Sequence, residues 1–396
     1  MKIVFVEPNL KVTSGHVFEA TRSLMKYFSK RSNNIEVGFV CHQLVDDKVL
    51  AVLPKIKPLY KLSCFEEGEK EAVVESLNNV INEFGLTDSD VIVFTTAHLR
   101  DIEGVNILVG SKSTPRFVLQ IHQYYPPYSD SDSILDINLN NVLAQRYIKI
   151  FGDIDPTRVA AVTTPIKALS EKITNVCHYD PTNFPVPFSP ILFKDKHGLG
   201  DLIRVGFFGD GRKEKGLLEF LRLAEFLTNS EGEFGFFVQL QNPRGFSESE
   251  IKELNGLVDT LSIRKKVEIF KGPLSTQEYY SELGRCDIVC VLHHSYHYSI
   301  RLSGIAVECG MIGVPIVARK GTCVSEWIEV GKLYGETVNS GERSLLKIAL
   351  IDLKKKLYDS TLTNSLQKIS VLWRDEYSAE NYINNYLLPL LTHEWK

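Results

Sequence analysis

Short apolar runs that give way to a polar or glycine-bearing turn and then to an amphipathic helix recur along this chain, and that alternation leaves few folds open. Lys2 to Glu7 reads as a fully buried strand and Lys11 to His16 as a polar turn containing Gly15. Val17 to Lys30 follows as an amphipathic helix with Val17, Ala20, Leu24, Tyr27 and Phe28 on one face, and Ile35 to Cys41 is the next strand. Strand, turn and helix in this order open a doubly wound α/β sheet, in which ligands sit at the carboxyl ends of the strands.

The pattern continues through a helix over Glu69 to Phe84, a strand at Asp90 to Phe94, a strand at Arg116 to Ile121 ending in His122, a helix over Ile134 to Phe151 and a strand at Val159 to Thr163. A helix is expected from Pro165 to Ile173, with the proline at its start. Tyr179 to Pro190 carries prolines 181, 185, 187 and 190 with little periodicity, which marks the end of a first domain. Alternation restarts at Ile203 to Phe208 and runs through a helix to Phe226, a strand at Gly235 to Leu240, a helix at Glu248 to Thr260, a strand at Lys266 to Phe270, a helix at Thr276 to Leu283 and a strand at Asp287 to Leu292. The expected boundaries are a first domain over 1–190, a linker over 191–202, a second domain over 203–374 and a C-terminal helix within 375–396. With 396 residues, each domain has room for its own core.

Composition narrows the function. A net charge of −4 leaves no footprint for bulk nucleic-acid binding, and no run of about 18 or more apolar residues is present to span a membrane. The opening residues break at Glu7-Pro8, as a first strand does and a secretory leader does not. The seven cysteines lack a C-x-x-C pair and read as reduced, structural thiols of a cytoplasmic protein.

Two stretches of the second domain carry chemistry. Residues 298 to 322, YSIRLSGIAVECGMIGVPIVARKGT, place a helix start at Ser303-Gly304, a carboxylate at Glu308, a glycine stop at Gly313 and a strand at Val314 to Ala318. Free N–H groups at a helix start, a glycine that lets a ligand approach and a lone carboxylate suit a nucleoside diphosphate. Glu308 lies between Val307 and Cys309 on a helix poor in other charges, which separates it from a solvated surface glutamate. Ser303 has the residue type of an N-cap, a role that does not exclude an anion at the same helix end. The second stretch is the turn Gly209-Asp210-Gly211-Arg212-Lys213-Glu214-Lys215-Gly216, where backbone N–H groups would meet phosphates and Arg212 and Lys215 add positive charge. It is neither a Walker loop nor a G-x-G-x-x-G turn, because Gly216 is not followed by Lys-Ser/Thr and Glu214 stands at the third glycine position.

These residues resemble the retaining glycosyltransferases of the two-Rossmann-domain GT-B fold, family 4-like. Glu308, Gly313, Pro315, Val317 and Ala318 match the second half of that family's E-x7-E … G-x-P-V-V-A pattern, while Ile300 stands where its first glutamate would be. Ser303-Gly304 and Gly321-Thr322 are similar to a variant of the family, and Lys215-Gly216 matches its G-R-x-x-x-x-K-G turn, with Arg212 the candidate to replace the arginine that Asp210 displaces. The resemblance implies two Rossmann-like domains facing across a cleft, with the last helix crossing back to the first domain. It also implies transfer of a sugar from a nucleotide-sugar co-substrate, UDP- or GDP-linked, with retention and with neither metal nor other cofactor. The donor would bind Gly15, Gly209, Gly211, Arg212, Lys215, Ser303, Gly304 and Glu308, with Lys215 and Arg212 neutralising the leaving diphosphate, Glu308 holding the ribose and His122 beside the transferred sugar. The acceptor, a glycan or a lipid-linked molecule, would meet His16, Tyr124, Tyr125, His293 and Arg301. A contact with the inner face of a membrane would serve a lipid-linked acceptor.

Other readings of the same residues stand beside this one. A lone histidine at a strand end, such as His122, is often structural. His293, His294 and His297 lack a carboxylate or cysteine at metal-site spacing, so they read as sugar contacts or loop composition. Asp130-Ser131-Asp132 and Asp153-Ile154-Asp155 are the short acidic strings of metal-dependent transferases, and such strings recur by chance. The rivals to a transferase are a non-catalytic nucleotide-sugar binding protein, which the missing first glutamate favours, and a sugar-nucleotide epimerase or phosphorylase of this architecture.

Overall fold

Strands covered by helices on both faces read as unbroken apolar runs, and they pair in parallel here. In the computed structural model, which describes residues 1–13, 15–30, 35–63, 66, 68–110, 114–122, 134–188, 202–229 and 233–392, the first sheet holds seven strands. These are β1 (Lys2–Glu7), β2 (Glu36–His42), β3 (Ile56–Tyr60), β4 (Val91–Ala97), β5 (Arg116–Ile121), β6 (Val159–Thr164) and β7 (Thr182–Asn183), in the order β3-β2-β1-β4-β5-β6-β7. The second sheet is built from β8 (Ile203–Phe207), β9 (Asp210–Arg212), β10 (Phe234–Arg244), β11 (Val267–Lys271), β12 (Ile288–Val291), β13 (Ile316–Arg319) and β14 (Gly335–Val338). Its order is β11-β10-β8-β12-β13-β14, with β9 beside the end of β10. In each sheet the chain winds outward from its first strand and then returns to that strand's other side. The two switch points therefore fall between β1 and β4 and between β8 and β12, where crevices for ligands form beyond the carboxyl ends.

The chain divides into two compact units, one of Met1–Ser189, Ile300–Leu302 and Glu376–Lys396, the other of Pro190–Ser299 and Ser303–Asp375. Tyr382, Ile383, Leu387 and Leu391 of the C-terminal segment share the first unit's core with Ile3, Phe5, Leu24 and Phe39. The Tyr27 hydroxyl donates to Asn384 Oδ1 at 2.6 Å, and the Phe188 N–H donates to the Tyr377 carbonyl at 2.7 Å. In the second unit, Val205, Phe207, Phe220, Phe236 and Leu254 form the centre of the core.

Several expectations need correction. The helix after β6 spans Lys167–Cys177, and Pro165 stands outside it because Ile166 is the extended residue before the first turn. The proline-bearing segment after Tyr179 contributes the edge strand β7 and buries Phe184, Val186 and Phe188. The turn 209–216 is not one continuous loop. Its Asp210–Arg212 portion pairs with β10, which extends that strand to Arg244, four residues beyond the expected Leu240. The expected linker over 191–202 lies outside the described residues except for Leu202.

Candidate functional site

At the switch point of the second sheet, β8 runs into Gly209, whose φ of 95° is left-handed backbone that favours glycine. Its N–H donates to Oε1 of the buried Gln239 on β10 at 2.9 Å, which fixes the direction of the peptide. A Cβ on Gly209 would stand 3.1 Å from Lys215 Nζ, so the ammonium lies directly over the bare glycine. Lys213–Lys215 form a 3-10 turn that ends at Gly216, with φ 82°. A Cβ there would stand 2.5 Å from Leu292 Cβ and 2.7 Å from the Leu292 carbonyl oxygen. Gly216 thus lets the helix Leu217–Thr228 start hard against the end of β12. Replacing it with alanine combines a strained φ with a backbone clash, and urea denaturation is expected to show a loss of about 2 kcal/mol or more.

Arg212 is committed within the turn. Its Nη1 pairs with Glu214 Oε1 at 2.9 Å, its Nε lies 3.9 Å from Asp210 Oδ2, and its Nη2 donates to the Tyr298 hydroxyl at 2.8 Å. Gly211 packs without room for a side chain, since a Cβ would lie 3.0 Å from the Gln241 carbonyl oxygen. His293 is buried at the end of β12, its ring 3.8 Å from that of Tyr298. The neighbouring His294 shares Glu219 Oε1 with Arg319, each at 3.2 Å. Burial pushes the Glu219 carboxyl up, but the His294 hydrogen bond and the charges of His294 and Arg319 prevail and bring it down to about 2.

The helix Gly304–Ile312 supplies the rest of this site. Ser303 sits at its N-cap position but makes no capping bond, in contrast to Ser247, Ser275 and Thr322, whose side chains each cap a helix. The Ser303 hydroxyl is buried and finds no partner among the described residues. The expected capping role is therefore absent: with φ −104° and ψ 104°, Ser303 does not bring its hydroxyl onto the first-turn N–H groups. At the other end Gly313 adopts φ 76°, the left-handed stop. Gly310 accommodates the Trp373 ring, which a Cβ would approach to 2.6 Å. Glu308 is only 6% exposed, and two tyrosines from the helix Thr276–Arg285 hold it. The Tyr279 hydroxyl donates to Oε2 at 2.6 Å and the Tyr280 hydroxyl to Oε1 at 3.3 Å.

In the first unit, Gly15 has φ 85° at the start of the helix His16–Ser29, and His16 is exposed with its ring 6.3 Å from that of Phe188. His122 follows β5. Burial above all depresses its imidazole to about 3, and the nearby His16 and His98 add to this against a hydrogen bond to the Thr95 backbone. Its Nε2 finds no partner among the described residues. Arg301 groups with this unit, and its charge also helps hold His98 and His122 neutral. Ser14, Tyr124, Tyr125, Asp130 and Asp132 lie outside the described residues. Asp155 bonds the N–H and hydroxyl of Thr157, a local turn. Among the described residues no group of three His, Cys, Asp or Glu side chains could hold a metal ion.

Four residues near these switch points escaped sequence reasoning: Tyr279, Tyr280, Gln239 and Glu7. Glu7 ends β1 and is buried, accepting the Asn9 N–H on Oε1 at 3.0 Å and the Thr95 and Thr96 hydroxyls on Oε2 at 2.7 and 2.8 Å. Burial outweighs these bonds and pushes its carboxyl up to about 7. The signal for Glu7 was its place as the one charged residue closing an apolar strand.

No protein-family model matches this chain, and no curated protein matches it. Among solved structures it is similar to HepE of Anabaena in complex with UDP and glucose, at 14% identity and a TM-score of 0.66, covering 99% of this chain and 100% of that one. It is similar also to a glycosyltransferase of Rickettsia africae, at 10% identity and a TM-score of 0.68, with 99% of each chain covered. Sucrose-phosphate synthase of Thermosynechococcus elongatus matches at 12% identity and a TM-score of 0.66, over 99% of this chain and 100% of that one. The fold is accordingly the two-Rossmann GT-B fold, a doubly wound α/β architecture.

Proposed function

We propose that this chain is a glycosyltransferase that moves a sugar from a nucleotide-sugar donor to an acceptor. The observation that carries the reading is the helix Gly304–Ile312, which joins a start without a side-chain cap, beside the buried Ser303 hydroxyl that has no partner among the described residues, to a buried carboxylate at Glu308. Free N–H groups there suit a diphosphate and the carboxylate suits a ribose diol. Lys215 over Gly209 supplies a cation at the same sheet's switch point. The fold shared with a protein solved with UDP and glucose favours a UDP-linked donor, with GDP the alternative.

Lys215 stabilises the leaving diphosphate, and the Gly304 N–H and the Ser303 hydroxyl contribute from the helix start, the Ser303 N–H being already engaged by the Cys323 sulfur. Arg212 acts mainly by holding the turn, since Glu214 and Asp210 already engage its charge. The acceptor, a glycan or lipid-linked molecule, is assigned to the first unit around His16 and His122, with Tyr124 and Tyr125 following in the chain. Transfer proceeds with retention and without a catalytic metal, in the cytoplasm or at the inner face of a membrane.

Calorimetric titration of UDP, GDP, ADP and CMP tests the donor site. One nucleoside diphosphate is expected to bind, and Glu308→Ala, with its fold verified by thermal melting, to weaken it by at least about tenfold. Absence of binding to all four by the folded wild type would refute the reading. Proton NMR of the transferred anomeric centre then tests retention, and a rate unchanged by chelator tests independence from metal.

A further inference from the structure

The two tyrosines on Glu308 are unequal, and the inequality has a use. Resting on the donor-site reading above, we infer that Tyr279 is a positioning residue that fixes the Glu308 carboxylate for a ribose diol, while the Tyr280 hydroxyl is the exchangeable contact that the ribose replaces. A carboxylate that is 6% exposed has lost most of its water, so its lone pairs must be met by donors. Tyr279 meets Oε2 with a short bond of 2.6 Å, whereas Tyr280 reaches Oε1 only at 3.3 Å, where a hydrogen bond is weak.

The surroundings separate the two further. The Tyr279 ring lies edge-on to Phe208 at 5.5 Å and to Tyr280 at 5.3 Å, and Phe208 stacks on Phe237 at 5.1 Å. Phe208 directly precedes Gly209, the residue whose peptide Gln239 holds. One aromatic row therefore ties the orientation of Glu308 to the glycine turn beneath Lys215. Burial and the Glu308 charge raise the Tyr279 hydroxyl well above the ordinary phenol range, so it stays a donor at every working pH. A ribose brings two hydroxyl donors and can take over the Oε1 lone pairs without disturbing Oε2.

The inference predicts a specific pattern of affinities in the full-length protein. Wild type should bind the preferred one of UDP, GDP and ADP more tightly than its 2′-deoxy counterpart. Tyr279→Phe keeps the ring and its contacts but removes the 2.6 Å bond to Oε2, and it is expected to weaken the ribonucleotide by roughly tenfold and to erase most of the preference over the deoxynucleotide. Tyr280→Phe should change ribonucleotide affinity by less than about twofold and keep the preference. Calorimetry on the three proteins decides it. Equal weakening of ribo- and deoxynucleotide in Tyr279→Phe would assign Tyr279 a purely structural role and overturn the inference while leaving the donor site standing. The inference is equally overturned if Tyr280→Phe is the variant that loses the preference. Binding of no nucleotide by folded wild type would instead overturn the donor-site reading, and this inference with it.

Discussion

Lys215→Ala is expected to lower the turnover number for sugar transfer by about a hundredfold or more while changing the donor KM far less. In glycosyl transfer the diphosphate gains negative charge as the bond to the sugar breaks. A cation near its oxygens therefore interacts more strongly with the transition state than with the bound donor, and only that difference accelerates the step. Lys215 is placed for such a role because its Nζ rests over Gly209, whose missing side chain leaves the space the ammonium occupies. Arg212 is not an equivalent target. Its guanidinium bridges Glu214, Asp210 and the Tyr298 hydroxyl, so Arg212→Ala would deprive Glu214, itself 11% exposed, of its counter-charge and disturb the turn. Initial rates over a range of donor concentrations separate the outcomes. A raised KM with an unchanged turnover number would mean that Lys215 only binds the donor, equally in both states, and would remove it from the chemistry.

How much of this could be read from the sequence follows from where each residue's partners lie. β1 and β5 match their expected bounds to the residue, because strands buried on both faces have to be apolar throughout. The edge strands β3, β7 and β14 went unseen. β3 carries Pro58 and exposed residues at its centre, β7 is two residues long, and β14 reads Gly-Glu-Thr-Val. Local spacing sufficed for Gly313, whose left-handed stop the structure has, and for the helix that carries Glu308. It could not supply Tyr279, which reaches Glu308 from another helix 29 residues earlier, nor Gln239, which orients Gly209 from the neighbouring strand. A motif names the residue that faces a ligand, whereas the donors that orient that residue come from packing. Ser303 makes the same point in reverse: a residue type suited to capping sits at the cap position with its hydroxyl making no capping bond.

The second large effect concerns Glu7 and pH. A carboxyl with an unfolded value of about 4.3 and a folded value raised to about 7 binds more protons folded than unfolded across that interval. Its contribution to stability is thus fully present below about pH 4.3 and is lost as the pH rises to and through about 7. By pH 8 the ionised, buried Glu7 costs the first unit about 4 kcal/mol relative to a neutral residue of the same shape. Glutamine is that residue, because its carbonyl can keep the Asn9 N–H while its amide replaces Oε2. The Thr95 hydroxyl then turns to the Val6 carbonyl, 3.3 Å away, and the oxygens of Thr95 and Thr96 each accept one of the amide's two N–H groups. Glu7→Gln is expected to match wild type near pH 4 and to exceed it clearly at pH 8 in urea midpoints. Asp101, raised by burial to about 6, adds a slope of the same sign in both proteins, and because its charge is itself one of the influences that raise Glu7, the difference between them reports Glu7 together with that coupling. His98 and His122 act oppositely, since folded values near 4 and 3 lie below the imidazole's ordinary 6.5 and remove stability as the pH falls. Wild-type stability should therefore peak in weak acid to neutral solution, and Glu7→Gln should extend the alkaline side of that peak alone. A variant less stable than wild type at pH 8 would mean that the Glu7 charge is held by its three hydrogen bonds after all. Burial would then not be the dominant effect at the end of β1.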